Sequence, residues 1–198
     1  MGHGAVDGRE GRLCGVEGKP AAGGRPVDRA RPAAPTITSH EAARRAVATL
    51  DLKVPEPHLG PTPDDLEWGF VPVGYPVWLW TTGGSTSTSQ VTTTVEGITV
   101  SIRHDPPVLT WSMGDGTPSF SCPSDAPRYQ PPADGVVTEP TTCGHRFTKL
   151  GRYTPTVTAT WTIHWQAGPD SGTFTETLTR SMNEIPVGEL QSVVTRRG

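Results

Sequence analysis

Residues 157–165 read VTATWTIHW, and this stretch decides the fold. Apolar side chains occupy every second position, from Val157 through Trp161 to Trp165, with polar residues between them. Because side chains along a β-strand point alternately to its two faces, the pattern predicts a strand with one buried and one solvated face. The two tryptophans lie on the buried face, where they are large enough to fill the space between two packed sheets.

Shorter segments with the same alternation surround this strand. Residues 91–95 and 98–102 flank Glu96-Gly97, a weak hairpin signal that predicts two antiparallel strands. Short strands separated by Gly and Pro turns are typical of a sandwich, so residues 77–198 are expected to form an all-β antiparallel β-sandwich. Further strands are predicted at 77–80, 108–113, 174–178 and 187–193.

The composition argues against several classes of protein. The chain has 198 residues, of which 23 are Gly and 21 are Pro, and both residue types disfavour the interior of helices. A net charge of −3 gives no general attraction to nucleic acid or to anionic membranes. The longest apolar cluster, at residues 75–80, is far too short to span a membrane. We therefore expect neither nucleic acid nor nucleotide as a partner, and no transmembrane segment.

The first 76 residues are predicted to lie outside the sandwich. Residues 1–37 have no periodic apolar pattern and are expected to be a disordered tail. Residues 38–50 are expected to form one short helix, with Thr38 as N-cap and Glu41 at the third helical position. Residues 51–76 contain six prolines, which predicts an extended Pro-rich linker.

Three cysteines are present, so one is left unpaired by any single disulfide. Cys122 and Cys143 flank a Pro-rich loop in the strand-rich region and are the plausible pair, while Cys14 lies in the tail. Alternatively, Cys122, Cys143 and His145 could supply three ligands of a zinc site, which His104 or His164 would complete. The C-x-H spacing is not usual for zinc, so the disulfide is favoured and no metal is expected.

The residue types needed for catalysis do not form a recognisable motif. Cys143 with His145 or His164 would need an orienting carboxylate and an oxyanion hole, and neither can be identified. Glu176, Glu184 and Glu189 could form a glycosidase-like pair, but carboxylates on strand surfaces are usually solvated. The sequence therefore predicts a non-enzymatic protein without a cofactor, and a hydrolase remains as an alternative.

Three tryptophans before the sandwich could bind a ligand. Trp78 and Trp80 are two residues apart on one strand face, and Trp68 lies in the predicted linker. Together they could form an exposed aromatic platform for a sugar or a peptide. The alternative is that they pack against the sandwich and dock the linker on it.

Two motifs resemble those of PKD domains. WSMGDG at residues 111–116 is similar to the W-x-F-G-D-G signature, with Met in place of Phe. HRF at 145–147 and GRYTPTV at 151–157 resemble the family's H/T-x-Y and G-x-Y-x-V segments, with a longer loop between the two motifs. The resemblance implies an immunoglobulin-like sandwich with a structural signature of Trp111, Gly114, Asp115, Gly116, His145, Gly151 and Tyr153. Within that signature Asp115 could bind Ca²⁺, but Asp between two glycines more commonly caps the backbone of its own turn.

Other segments are similar to PKD-containing envelope proteins of Streptomyces and related actinobacteria. These segments are residues 76–80, 97–100, 143–145 and 187–191. Some such proteins are described as ATP/GTP-binding, but this sequence has no G-x-x-x-x-G-K-[ST] phosphate loop.

The resemblance implies a place outside the cytoplasmic membrane, where a bridge between Cys122 and Cys143 could form. Residues 1–20 are charged and lack an apolar run, so by themselves they show no export signal and predict a cytoplasmic protein. PKD domains are usually extracellular spacers, adhesion modules or carbohydrate-associated modules. The expected function is therefore a non-enzymatic module that positions or binds another envelope protein or a cell-wall polymer. The alternative is a carbohydrate-binding module that uses exposed Trp.

Overall fold

A computed structural model describes residues 37–191, which all belong to one compact unit. The prediction of a disordered tail at 1–37 falls almost wholly outside these residues. The described chain is an antiparallel β-sandwich with one α-helix and one short 3-10 helix, so the predicted fold class is confirmed. Within residues 37–191, no helix has both the length and the apolarity needed to cross a membrane.

The elements follow one another with short connections, except between β7 and β8. Helix α1 spans Ser39–Val47, and the 3-10 helix spans Pro63–Asp65. The strands are β1 (Glu56–Gly60), β2 (Val71–Pro72), β3 (Pro76–Thr82), β4 (Ser89–Val95), β5 (Ile98–His104), β6 (Val108–Ser112), β7 (Phe120–Cys122), β8 (Gly144–Arg146), β9 (Gly151–Tyr153), β10 (Thr156–Ala167), β11 (Asp170–Ser181) and β12 (Ile185–Gly188).

Strand β10, which contains the opening motif, is the centre of the main sheet. Strand β11 pairs with β10 along its whole length. On the other edge, β6 pairs with residues 156–160 and β5 with residues 163–166. Strand β4 continues the sheet beyond β5, and β7 continues it beyond β6. Strands β5 and β6 thus act as one long strand that is interrupted at Asp105-Pro106-Pro107, where one extra residue is inserted as in a β-bulge.

The alternation along β10 sets the core. Its inner face is buried throughout, and Val157, Trp161 and Ile163 are fully inaccessible to solvent. Two smaller sheets, β1-β3-β8 and β2-β12-β9, supply the opposing apolar side chains, among them Leu79 and Val187. All these residues belong to one continuous core, as expected for two packed layers of strands.

The predicted Pro-rich linker at 51–76 is wrong, because this segment is part of the sandwich. Strand β1 pairs with β3, and its Leu59 is buried in the core. The prolines did not prevent pairing because β1 is an edge strand, where a missing backbone N–H can face away from the sheet. Strand β2 also lies in this segment and pairs in parallel with β12.

Helix α1 begins where its capping signal predicts. The backbone N–H of Glu41 donates to Thr38 Oγ1 at 3.1 Å, which satisfies one of the free amides of the first turn. The helix ends at Val47, three residues before the predicted end. Its alanine face is buried on the inner side of the main sheet, and His40 contacts the ring of Phe174. Packing of the alanine face on the sheet stabilises a helix that would be marginal in isolation.

The hairpin predicted at Glu96-Gly97 is also confirmed. Strands β4 and β5 are joined by these two residues alone, with φ of 46° at Glu96 and 83° at Gly97. Positive φ at both central positions is the requirement of a type I′ turn, whose twist matches that of the paired strands. The turn therefore fixes the register that places Val100 and Ile102 in the core.

Candidate functional site

The two PKD-like motifs meet at a pair formed by Asp115 and His145. Asp115 lies in the turn after β6, where Gly114 and Gly116 have φ of 74° and 85°. Asp115 Oδ1 accepts hydrogen bonds from the backbone N–H and the hydroxyl of Thr117, at 3.0 and 2.6 Å. Its other oxygen, Oδ2, lies 2.7 Å from His145 Nε2 at the middle of β8. The pair therefore connects the turn of the main sheet to the second layer.

The pair is enclosed by aromatic rings. The side chains of Asp115 and His145 are only 4% and 10% exposed. The His145 ring stacks on Phe120 at 6.1 Å between centroids, and Phe147 meets it edge-on at 4.9 Å. Phe147 in turn stacks on Tyr153 at 5.2 Å. A shallow cavity of about 370 Å³ reaches His145 from the side of β3, but Asp115 is not among its lining residues.

The pKa of Asp115 reflects two opposing effects. Burial alone would raise the pKa of this carboxyl, because it penalises the charged form. The hydrogen bonds from Thr117, helped by His145, outweigh burial and leave the pKa below its ordinary value. The folded-state pKa thus lies under the unfolded value of about 3.9. The carboxylate therefore stabilises the fold at neutral pH, and this stabilisation is lost as the pH falls through the folded-state pKa.

We expect Asp115→Asn to weaken the dependence of stability on pH. At pH 7 the variant should unfold about 1–3 kcal/mol more easily, because hydrogen bonds to a charged acceptor are lost. As the pH falls through the folded-state pKa, the difference from the wild type should shrink, since the wild-type carboxyl becomes protonated. Urea unfolding at pH 7, 4 and 3 measures this, with Asp170→Asn at an exposed position as the matched control. Equal pH slopes for the wild type and Asp115→Asn would contradict the assignment.

Tyr153 secures the segment before β9. Its hydroxyl donates to the carbonyl oxygens of Lys149 and Leu150, at 3.1 and 3.2 Å. A tyrosine that bonds back to the chain just upstream resembles the tyrosine corner of immunoglobulin-type sandwiches. The signature residues Trp111, Asp115, His145 and Tyr153 therefore have structural contacts in this fold.

The predicted pair Cys122 and Cys143 is present as a disulfide, with the two Cα atoms 5.6 Å apart. Cys122 ends β7 in the main sheet, and Cys143 immediately precedes β8 in the second layer. The bond thus links the two layers at both ends of the long loop. Cys14 lies outside the described residues.

The zinc alternative is not assembled. His145 is occupied by Asp115, and His164 Nε2 lies 3.0 Å from Asp105 Oδ2 instead. No group of three His, Cys, Asp or Glu side chains within residues 37–191 is arranged to share a metal ion.

The tryptophan platform is corrected by the structure. Trp80 is only 9% exposed and stacks on His58 at 5.5 Å. Trp78 is half-buried, and its indole Nε1 donates to Thr138 O at 3.2 Å, under the loop that follows β7. Trp68 is the most exposed of the three, at 37%. The prediction failed because other side chains pack on both faces of β3, so Trp80 is buried and Trp78 is half-buried.

A polar cluster that sequence reasoning missed lies at the interruption between β5 and β6. Asp105 accepts a hydrogen bond from Arg103 at 2.6 Å and contacts His164 on β10. The hydrogen bond with His164, reinforced by Arg103, lowers the pKa of Asp105. The sequence Asp105-Pro106-Pro107 does indicate that a strand is interrupted there. It does not indicate that His164 of β10 lies beside Asp105.

A polar groove of about 650 Å³ lies between β1 and the end of β11. Three of its charged side chains are in ion pairs: Glu56 with Arg180 at 3.3 Å, and Glu184 with Arg152 at 2.8 Å, while Asp64 also lines the groove. Of the three carboxylates in the glycosidase-like alternative, Glu184 is paired with Arg152 here, Glu176 on β11 lies across from Trp161 on β10, and Glu189 follows β12.

No protein family, curated protein or solved structure matches the chain at a significant level. The resemblance to PKD domains therefore stays an interpretation of the motifs at residues 111–116 and 145–157.

Proposed function

We propose that the chain is a non-enzymatic, extracytoplasmic module that binds or positions another component of the cell envelope. The observation that carries the proposal is a contrast between two parts of the surface. The side chains capable of chemistry are used to hold the fold together, whereas the outer face of the main sheet is covered by no other element of residues 37–191. A protein organised in this way is suited to contact rather than to turnover.

The internal use of the reactive groups supports a non-enzymatic role. Asp115 and His145 have catalytic chemistry in principle, but the cavity that His145 lines does not include Asp115, whose side chain is only 4% exposed. His164 is held by Asp105, and Glu184 by Arg152. Each of these contacts connects a turn or the end of a strand to an adjacent strand or loop.

The disulfide supports an extracytoplasmic location. Disulfides persist in oxidising compartments and are rare in the bacterial cytosol. Cys122 and Cys143 are 8% and 5% exposed, so neither thiol is presented for reversible redox chemistry at the surface. A structural bond of this kind fits a module that folds and stays outside the membrane.

The proposal predicts saturable binding to isolated envelope. The purified full-length chain should co-sediment with cell-wall sacculi or membrane vesicles from an actinobacterium, and an excess of unlabelled chain should displace it. The control is the same chain reduced and alkylated, in which loss of the disulfide should weaken retention. Absence of saturable binding to every envelope fraction would contradict the proposal, as would hydrolysis of an envelope polymer that Asp115→Asn abolishes without unfolding the protein.

A further inference from the structure

The outer face of the main sheet is made mostly of Ser and Thr side chains, and we call it the hydroxyl face; Gln90, Arg103, Val108, His164 and Gln166 also lie on it. On β10 every even-numbered residue from 156 to 162 is Thr, and on β11 every odd-numbered residue from 173 to 179 is Thr. The strand register sets the two columns side by side. The hydroxyl oxygens of Thr158 and Thr179 are 2.9 Å apart, so neighbours in the two columns are in contact.

The hydroxyl face continues across the other strands of the sheet. On β4, β5 and β6, every second side chain points away from the core. The strand register shows that these side chains lie on the same side of the sheet as the β10 threonines. They extend the face on both sides of the β10 column. These residues include Thr92, Thr94, Thr99, Ser101, Thr110 and Ser112.

The hydroxyl face is nearly free of charge. Among residues 37–191, its formally charged side chains are Arg103 and Asp105, which form an ion pair at 2.6 Å, and Asp105 also contacts His164 of the same face. Glu176 and Arg180 of β11 point to the opposite side, because they pair with core positions of β10. Protein surfaces commonly carry about a quarter to a third charged residues. A charged partner would therefore find almost nothing complementary on this surface.

The same composition argues against a protein partner. Protein interfaces rely on aromatic, Met or Arg anchors in a desolvated centre. Among residues 37–191, the one large apolar side chain on the hydroxyl face is Val108, which is 59% exposed at the margin of the face. Hydroxyl groups both donate and accept hydrogen bonds, so the chemical match for a dense array of them is a surface of neutral hydroxyl groups.

The arrangement also favours an extended ligand over a small one. Along a strand, side chains on one face repeat at about 6.8 Å, and adjacent strands lie about 4.8 Å apart. Threonine is stiff about χ1, so little rotamer freedom is lost when it makes a contact. Each neutral hydrogen bond contributes little by itself, so useful affinity requires many contacts along a repeating chain.

We propose that the hydroxyl face binds an uncharged polysaccharide through rows of threonine hydroxyls on β10 and β11. This inference rests on the proposed interaction function and names the class of partner. It does not use the tryptophans, of which Trp78 and Trp80 are packed into the fold.

The test is retention of the full-length protein on insoluble polysaccharides of matched backbone and different charge. Neutral cellulose, carboxymethyl cellulose and diethylaminoethyl cellulose form one series, and chitin, mannan and an insoluble glucan extend the neutral panel. We expect retention on at least one neutral polymer, at least tenfold stronger than on a charged polymer. Free monosaccharide should not compete, because a single sugar can engage only a few hydroxyls.

Two sets of variants locate the surface. The variant Thr158→Val, Thr160→Val, Thr177→Val, Thr179→Val removes hydroxyls but keeps the branched shape, and it should lose retention at least tenfold. The corresponding Thr→Ser variant keeps the hydroxyls and should retain most of the binding. Should the quadruple variants misfold, the single exposed change Thr177→Glu answers the same question, with Thr148→Glu off the face as its control.

Each outcome bears on one proposal or the other. Retention that is unchanged in the Val variant and in Thr177→Glu overturns the hydroxyl face as the site. Envelope binding without retention on any neutral polymer overturns the polysaccharide but leaves the interaction function standing. Sedimentation velocity completes the test: a dimer that Thr177→Glu dissociates would identify the face as a self-association surface and overturn the inference. Failure of the wild type to bind any envelope fraction would remove the interaction function itself.

Discussion

Replacing Trp111 with Ala is expected to lower the free energy of unfolding by about 3–5 kcal/mol. Trp111 lies on β6 with no accessible surface, and it faces Val157 on β10 and Phe120 on β7 in the strand register. Removing an indole at that position deletes a large buried apolar area and leaves a cavity between the two layers. The surrounding strands are fixed by their hydrogen bonds, so they cannot collapse to fill it.

Val108 on the same strand provides the matched control. Its side chain is 59% exposed on the outer face, so Val108→Ala should change the free energy of unfolding by less than about 0.5 kcal/mol. Urea unfolding followed by tryptophan fluorescence and by far-ultraviolet circular dichroism measures both variants. An effect of Trp111→Ala as small as that of Val108→Ala would mean that Trp111 is not in the core.

The strongest local patterns predicted the structure best. The alternation at 157–165 gave β10 and its buried face because that face is continuous along the whole strand. Thr38 and Glu96-Gly97 were also predicted correctly, because caps and two-residue turns depend on the chemistry of a few adjacent residues. These features can be identified without knowing what packs against them.

Features that depend on a distant partner were not predictable. The segment at 51–76 was interpreted as a linker because its prolines suggest extended chain, but pairing of β1 with β3 is settled by the tertiary structure. Strands β8 and β9 span three residues each, too few for an alternation to be visible. The final strand was predicted to run to Val193, whereas β12 ends at Gly188 and Val193 lies outside the described residues.

The candidate site shows the same division. Asp115 was expected to bond to its own turn, and Thr117 supplies those hydrogen bonds. Its contact with His145 crosses thirty residues and joins two layers, so no local pattern could indicate it. The hydroxyl face could not be predicted from any single strand, because its two-dimensional order arises from the register of six strands.

Removal of the disulfide is expected to produce the second large loss of stability. The variant Cys122→Ala, Cys143→Ala opens a loop closed over a sequence separation of 21 residues. In the chain-entropy description, a closure of that length contributes roughly 3 kcal/mol, because the cross-link restricts the unfolded chain. No helix or strand lies between β7 and β8, so few backbone hydrogen bonds hold this loop in place once the disulfide is removed.

Chemical reduction of the wild type provides an independent route to the same state. In dithiothreitol the wild type should unfold at the denaturant concentration of the double variant, and the double variant itself should not respond to the reductant. The opened loop should also uncover Trp78, whose indole donates to Thr138 O in the loop. A soluble quencher should therefore reduce Trp78 fluorescence more strongly before global unfolding. A double variant within 1 kcal/mol of the oxidised wild type would show that packing of the loop, rather than the covalent bond, holds the two layers together at this edge.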